Sequence, residues 1–251
     1  MIIKFIKKII SWFGYKLIDK NYIKNKRTLT NKYLNLDCIL DHLFSNKLIN
    51  DVIQIGANDG LRFDPLNKFL NKYETKTIFV EPIKKYFEDL KRNYSNKKNC
   101  YFENSAISDQ NSSMKIFKVR EEYLNLYDDH VAGISSFNRE HLIKHNVKPK
   151  HIISDIVNSL TIKTLIDKYN IINIDLLFID VEGYEGKIIS DFFNSLKLRP
   201  IIIFEYIHID NKIFKKVIDL FNAKKYIYIE SEENLICFPE EKKIIFKQSS
   251  L

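Results

Sequence analysis

The pentapeptide Gly56-Ala57-Asn58-Asp59-Gly60 closes a short apolar run, and Glu81 ends a second one, 21 residues beyond Gly60. Glycine at the first position lets the chain turn sharply. Glycine at the last removes a side chain where a ligand would approach the backbone. The spacing is GxxxG and not GxGxxG, so it implies no pyrophosphate cradle. A carboxylate placed like Glu81 can accept both hydroxyl hydrogens of a ribose, and its charge disfavours a 2′-phosphate. Asn104, Ser105 and Ala106 form a third loop where an adenine edge would lie, with small polar groups suited to hydrogen bonds with the ring. Asp180 and Glu182 end a later apolar run, and Glu205 and His208 the one after it. Two carboxylates at one strand end are costly without partners, so they are expected to face water and substrate or to complement a cation. Glu185 is assigned instead to the first turn of the following helix, where the dipole favours an acid.

These residues need a frame that gathers strand ends. Apolar runs at 51–56, 76–80, 99–102, 174–180 and 200–206 read as buried strands. Helical periodicity at 34–48, 65–73, 83–94, 161–169, 184–196 and 212–221 alternates with them, and Thr161 caps its helix. A shorter strand is expected at 114–119. Segments 226–229 and 235–238, joined by Ser231-Glu232-Glu233-Asn234, read as an antiparallel hairpin. Alternating strands and helices mean a Rossmann-like α/β fold: a mostly parallel, seven-stranded sheet with helices on both faces and an antiparallel last strand. Ligands bind such sheets at the carboxyl ends of the strands, where strand order reverses. Residues 120–160 are polar and weakly periodic, the candidate insertion. The expected organisation is an N-terminal helical segment at 1–48 and one domain at 49–251.

The 251 residues carry a formal charge of +8, from 40 basic and 32 acidic side chains. Lysine is spread along the whole chain, so the charge reads as a composition bias and not as a nucleic-acid tract. Cys38, Cys100 and Cys237 are far apart and form no CxxC pair, which argues against a disulfide framework or a cysteine zinc site and favours a reducing cytoplasm. Near the start, Ile2, Ile3, Ile6, Ile9, Ile10, Phe13 and Leu17 recur at helical spacing, interrupted by Lys4, Lys7, Lys8 and Lys16. That is an amphipathic basic helix and not an unbroken membrane span. Two roles stay open for it: lying on an anionic membrane face, or packing on the domain or on a second copy of the chain.

Taken in order, GANDG with Asp64-Pro65-Leu66 after it, Phe79-Val80-Glu81-Pro82, Gly133-Ile134-Ser135-Ser136-Phe137, the stretch from Asp175 to Tyr184, and Phe204-Glu205-Tyr206-Ile207-His208 resemble the FkbM family of methyltransferases. The resemblance runs from about Asp51 to Ile209. It implies a class I fold dependent on S-adenosylmethionine (SAM), and O-methylation, typically of sugar or macrolide hydroxyls. It also carries Gly56, Asn58, Gly60 and Glu81 over as SAM contacts, with Ser105, Ala106 and Asp180 expected beside them.

Methyl transfer is an in-line displacement, so alignment supplies most of the acceleration. An alcohol acceptor also needs a base or a metal. His208 is the expected base, with Asp180 and Glu182 beside it. Asp180 and Glu182 alone fall short of a metal ligand set, so no metal site is assigned. Asp64, Ser135, Ser136 and Glu205 are the expected acceptor contacts, and His130 joins the two serines in a loop that would contact the acceptor or form a lid. The acceptor is expected to be a small molecule or glycan and not a nucleic acid. Two rivals remain: a nucleic-acid methyltransferase, and a non-catalytic SAM-binding module docked to a membrane-associated glycan assembly.

Overall fold

The computed structural model describes residues 35–242. The first amphipathic helix expected from the sequence lies outside them. The chain opens with α1 (Leu36–Ser45), whose N-cap Asn35 accepts a hydrogen bond from the Cys38 N–H. Then come β1 (Asp51–Ile55), α2 (Asn67–Lys72), β2 (Lys76–Val80), α3 (Lys84–Asn93) and β3 (Cys100–Glu103). The middle of the chain holds β4 (Ala106–Ile107), β5 (Ser112–Val119), α4 (Asp129–Gly133), β6 (Ser135–Ser136), α5 (Arg139–Lys144) and β7 (Ile152–Leu160). It closes with α6 (Ile162–Lys168), β8 (Leu176–Ile179), α7 (Glu185–Ser195), β9 (Ile201–Glu205), α8 (Asn211–Ala223), β10 (Tyr226–Ser231) and β11 (Asn234–Pro239).

Seven strands form the main sheet in the order β10-β11-β9-β8-β1-β2-β3. The neighbours from β9 to β3 pair in parallel, and β11 alone runs antiparallel, to both β9 and β10. Strand order reverses between β1 and β8, so the ends of these two strands open a crevice. Side chains alternate across the sheet as strand geometry requires. Ile53, Ile55, Leu177, Ile179, Ile202 and Phe204 pack on one face with α6, α7 and α8. Val52, Leu176, Phe178, Ile201 and Ile203 pack on the other with α1, α2 and α3.

Two expectations change. Segment 114–119 belongs to β5, and β5 lies in a second, four-stranded sheet of order β4-β7-β5-β6. The polar stretch 120–160 is not an irregular loop: it contains α4, β6, α5 and the nine-residue β7, paired antiparallel with β5 from Val119–Ile152 to Ser112–Ser159. Apolar periodicity misses β7 because few of its residues are buried, and Ile153 and Ile156 face outward. Long-range pairing, not local pattern, makes this strand.

Candidate functional site

The turn after β1 is built around Gly56, whose φ of +83° suits glycine. A Cβ there would sit 1.7 Å from the Asp180 carbonyl oxygen, so the ends of β1 and β8 approach too closely for any side chain. The Gly56 and Ala57 N–H groups both donate to the Val80 carbonyl, tying this turn to the end of β2. Asn58 takes a left-handed φ of +49° and its N–H donates to Glu81 Oε2 at 3.0 Å. The other carboxylate oxygen of Glu81 accepts from the Ile83 N–H at 2.7 Å. Asp59 turns inward, accepts from the Leu61 and Arg62 N–H groups and pairs with the Arg62 guanidinium at 2.6 Å.

Gly60 has a different role from the one expected. A Cβ on it would meet Leu90 Cδ1 at 2.5 Å and Tyr94 Cε2 at 2.7 Å, so it makes room for α3 and lies outside the cavity wall.

A cavity of about 370 Å³ opens at the carboxyl ends of β1, β2, β8 and β9. Gly56, Asn58, Asp64, Glu81, Ser105, Ala106, Ser135, Ser136, Asp180, Glu182 and Glu205 all line it, as does His130. Ser105 gives its hydroxyl hydrogen to Glu103 at 2.9 Å, and Ser136 gives its own to the Glu182 carbonyl at 3.0 Å. Asn104 is turned away, donating to the Glu81 and Pro82 carbonyls. His208 stands behind the wall, with Nε2 3.8 Å from Glu182 Oε2 and 3.7 Å from Glu205 Oε1. Glu185 is the first residue of α7 and fully buried, where it accepts from the Val181 and Gly183 N–H groups.

The wall is strongly acidic. Asp129 and the hairpin tip residues Glu232 and Glu233 add to the carboxylates already named, and Arg62 is the sole Lys or Arg side chain lining the cavity among the described residues. Burial, then the neighbouring Glu182 and Glu185 charges, pushes the Asp180 carboxyl up to about 8. Burial, then Asp180 and Glu182, pushes Glu205 up to about 9. Burial likewise lifts Glu81 to about 7 and Asp64 to about 6. Two acceptors on this wall, Gln54 Oε1 and Asp64 Oδ2, are buried and have no hydrogen-bond partner. Unpaired buried acceptors call for a donor.

Glu182 behaves differently from its neighbours. Burial pushes its pKa up, but a hydrogen bond from His141 and the nearby His141, His208 and His145 rings outweigh that and hold it below the usual carboxylate value. Its backbone sits at φ +58°, a strained position for a non-glycine residue. His141 Nε2 lies 2.7 Å from Glu182 Oε2. One donor atom from each of His141, His145, Glu182 and His208 lies within 4.8 Å of the others. Sequence reasoning missed both α5 histidines. Their signal was His141-Leu142-Ile143-Lys144-His145, an i, i+4 pair on one helix face. Gln54, Glu232 and Glu233 were missed as wall residues too.

The family model for the methyltransferase FkbM domain matches residues 54–228. The chain belongs to the FkbM methyltransferase family. A search of curated sequences gave no significant match. Among solved structures, the FkbM methyltransferase of Methylobacillus flagellatus KT is 10% identical, with a TM-score of 0.46 over 76% of this chain and 44% of that one. This chain thus spans less than half of that relative. An rRNA methylase from Streptococcus thermophilus is 9% identical, with a TM-score of 0.41 over 82% and 97% of the two chains. Precorrin-6y C5,15-methyltransferase from Geobacter metallireducens GS-15 is 12% identical, with a TM-score of 0.39 over 80% and 86%. The FkbM match covers every wall residue named above except Glu232 and Glu233.

Proposed function

We propose that the cavity binds SAM and that the chain transfers its methyl group to a hydroxyl-type oxygen of a sugar, glycan or related small metabolite. One observation carries this reading: in a chain of net charge +8, the crevice at the strand-order reversal is walled by carboxylates. These raised carboxyls would ionise beside a cationic ligand, whereas the phosphates of a nucleic acid would only disfavour that charge.

The residues present fit such a group. Each Glu81 oxygen accepts one backbone N–H and keeps a lone pair free, as two ribose hydroxyls require. Gly56 admits a ligand against bare backbone, and Ser105 and Ala106 border the position suited to an adenine edge. The unpaired acceptors Gln54 Oε1 and Asp64 Oδ2 suit an ammonium group. When bound, SAM supplies an electrophilic methyl group on a sulfonium. The chain's part is alignment and removal of the acceptor proton. Glu182, kept ionised by its histidines and facing the cavity, marks the acceptor end.

No helix among the described residues is long and apolar enough to cross a membrane. The reading places the enzyme in the cytoplasm, with contact to a membrane face left to the N-terminal segment.

Titration calorimetry with S-adenosylhomocysteine tests the cofactor, and one molecule bound per chain is expected. Radiolabelled methyl transfer to nucleotide-sugars and surface-glycan fragments, beside RNA and DNA, tests the acceptor. Label entering RNA or DNA alone would overturn the glycan assignment, and absence of binding would overturn the cofactor.

A further inference from the structure

We propose that His141, His145, His208 and Glu182 bind one divalent transition-metal ion of the zinc class, beside the cavity and with Glu182 shared between ion and cavity wall.

The donors come from three separate parts of the fold. His141 lies on α5 and His145 caps its end, while Glu182 and His208 follow β8 and β9. The three rings pack edge to face or tilted, with centroids 4.6 Å apart for His141–His145, 4.6 Å for His141–His208 and 5.1 Å for His145–His208. Imidazoles gathered for structure alone would each find an acceptor. Here one carboxylate oxygen, Glu182 Oε2, is 2.7 Å from His141 and 3.8 Å from His208, and the His145 ring makes no hydrogen bond among the described residues. Three imidazoles with spare lone pairs around one carboxylate want a shared electrophile.

Distances agree with this. Metal–donor bonds of about 2.0–2.2 Å in a tetrahedron separate the donors by about 3.3 Å. Donors already within 4.8 Å reach that by small side-chain rotations. The strained backbone of Glu182, tied through its carbonyl to the Ser136 hydroxyl, aims its carboxylate into the cluster. Three nitrogens and one oxygen suit zinc, cobalt or nickel, whereas magnesium and calcium prefer oxygen throughout. Asp180 is not part of this set, which differs from the Asp180–Glu182 pairing considered from sequence. A role for the ion in holding the acceptor oxygen rests on the methyl-transfer reading; the binding of the ion does not.

The test uses the untagged full-length chain stripped of metal, then titrated with zinc or cobalt(II) alone against a chromogenic chelator. One ion per chain is expected, with a cobalt(II) visible spectrum of four- or five-coordinate nitrogen ligation. His145→Ala and His141→Ala are each expected to weaken binding by at least about a hundredfold, because losing a ligand costs no less than a change in its supporting shell. If either variant unfolds, the spectrum of the unaltered protein still reports nitrogen ligation. No binding, a spectrum of six oxygen ligands, or affinity untouched by both substitutions would overturn the site. S-adenosylhomocysteine binding is measured on the same preparation. Metal without that ligand removes the methyl-transfer reading only, and the ligand without metal removes this site only.

Discussion

The Asn58 N–H donates to Glu81 Oε2 at 3.0 Å, so the turn after β1 and the end of β2 form one unit across the cavity. Glu81 is 4% exposed, yet it borders the cavity with a lone pair free on each oxygen. Charge-assisted hydrogen bonds are worth about 1.5–3 kcal/mol each. Glu81→Ala is therefore expected to lower S-adenosylhomocysteine affinity by roughly 10²-fold or more, on two lost bonds. The variant should stay folded, because the strands around it are held by their own ladder. Calorimetry showing unchanged affinity would remove Glu81 as the ribose acceptor.

The same carboxyl predicts a pH effect of opposite sign on stability and on binding. Burial, opposed by the Ile83 and Asn58 N–H groups, raises Glu81 from 4.5 to about 7. A raised carboxyl means that the native state holds the proton more tightly than the unfolded one. Its contribution to stability is thus complete below 4.5 and is lost as pH rises through about 7. Ribose hydroxyls donate best to the ionised form, so ligand affinity should climb over the same window. Urea melts and calorimetry from about pH 5 to about pH 8 measure both slopes, and Glu81→Gln should flatten each relative to the parent. A binding slope that survives Glu81→Gln assigns the titration to another group.

Gly56 and Gly60 look equivalent in sequence and separate in space. Gly56→Ala puts a methyl into the Asp180 carbonyl at positive φ, and a loss of about 3 kcal/mol or more is expected. Gly60→Ala presses on Leu90 and Tyr94 instead, behind the cavity. It should lower the melting temperature while folded protein keeps its ligand affinity. A large affinity loss in stable Gly60→Ala protein would return Gly60 to the ligand site.

How much of this was legible follows from which forces set each part. The parallel strands were plain because Val52, Ile53, Leu176, Leu177, Ile201 and Ile202 are buried on both faces of one sheet and read as continuous apolar runs. The Thr161 cap was local as well, its hydroxyl accepting from the Thr164 N–H. β7 was hidden because its partner β5 lies far away in sequence and most of its face is polar. The wall carboxylates could be named from strand ends. The α5 histidines could not be joined to Glu182 without the second sheet that carries α5 over it. Gly60 was misplaced because spacing does not tell which side of a turn a missing side chain would face.

His208 decides how the acceptor end works. It does not reach the cavity wall, and its Nε2 sits 3.8 Å from Glu182 and 3.7 Å from Glu205. Burial lowers its pKa, the Glu182 charge opposes that, and His141 and His145 add to the lowering. His208→Ala should leave S-adenosylhomocysteine affinity unchanged, since no ligand-facing atom is removed, and should lower turnover by about 10²-fold. Restoration of turnover by excess zinc would mark a ligand role. A loss that zinc cannot restore, with the pH–rate profile shifted, would mark proton transfer. Normal turnover in the variant would leave His208 with neither task, and Glu182 with His141 as the remaining pair to carry the acceptor's proton.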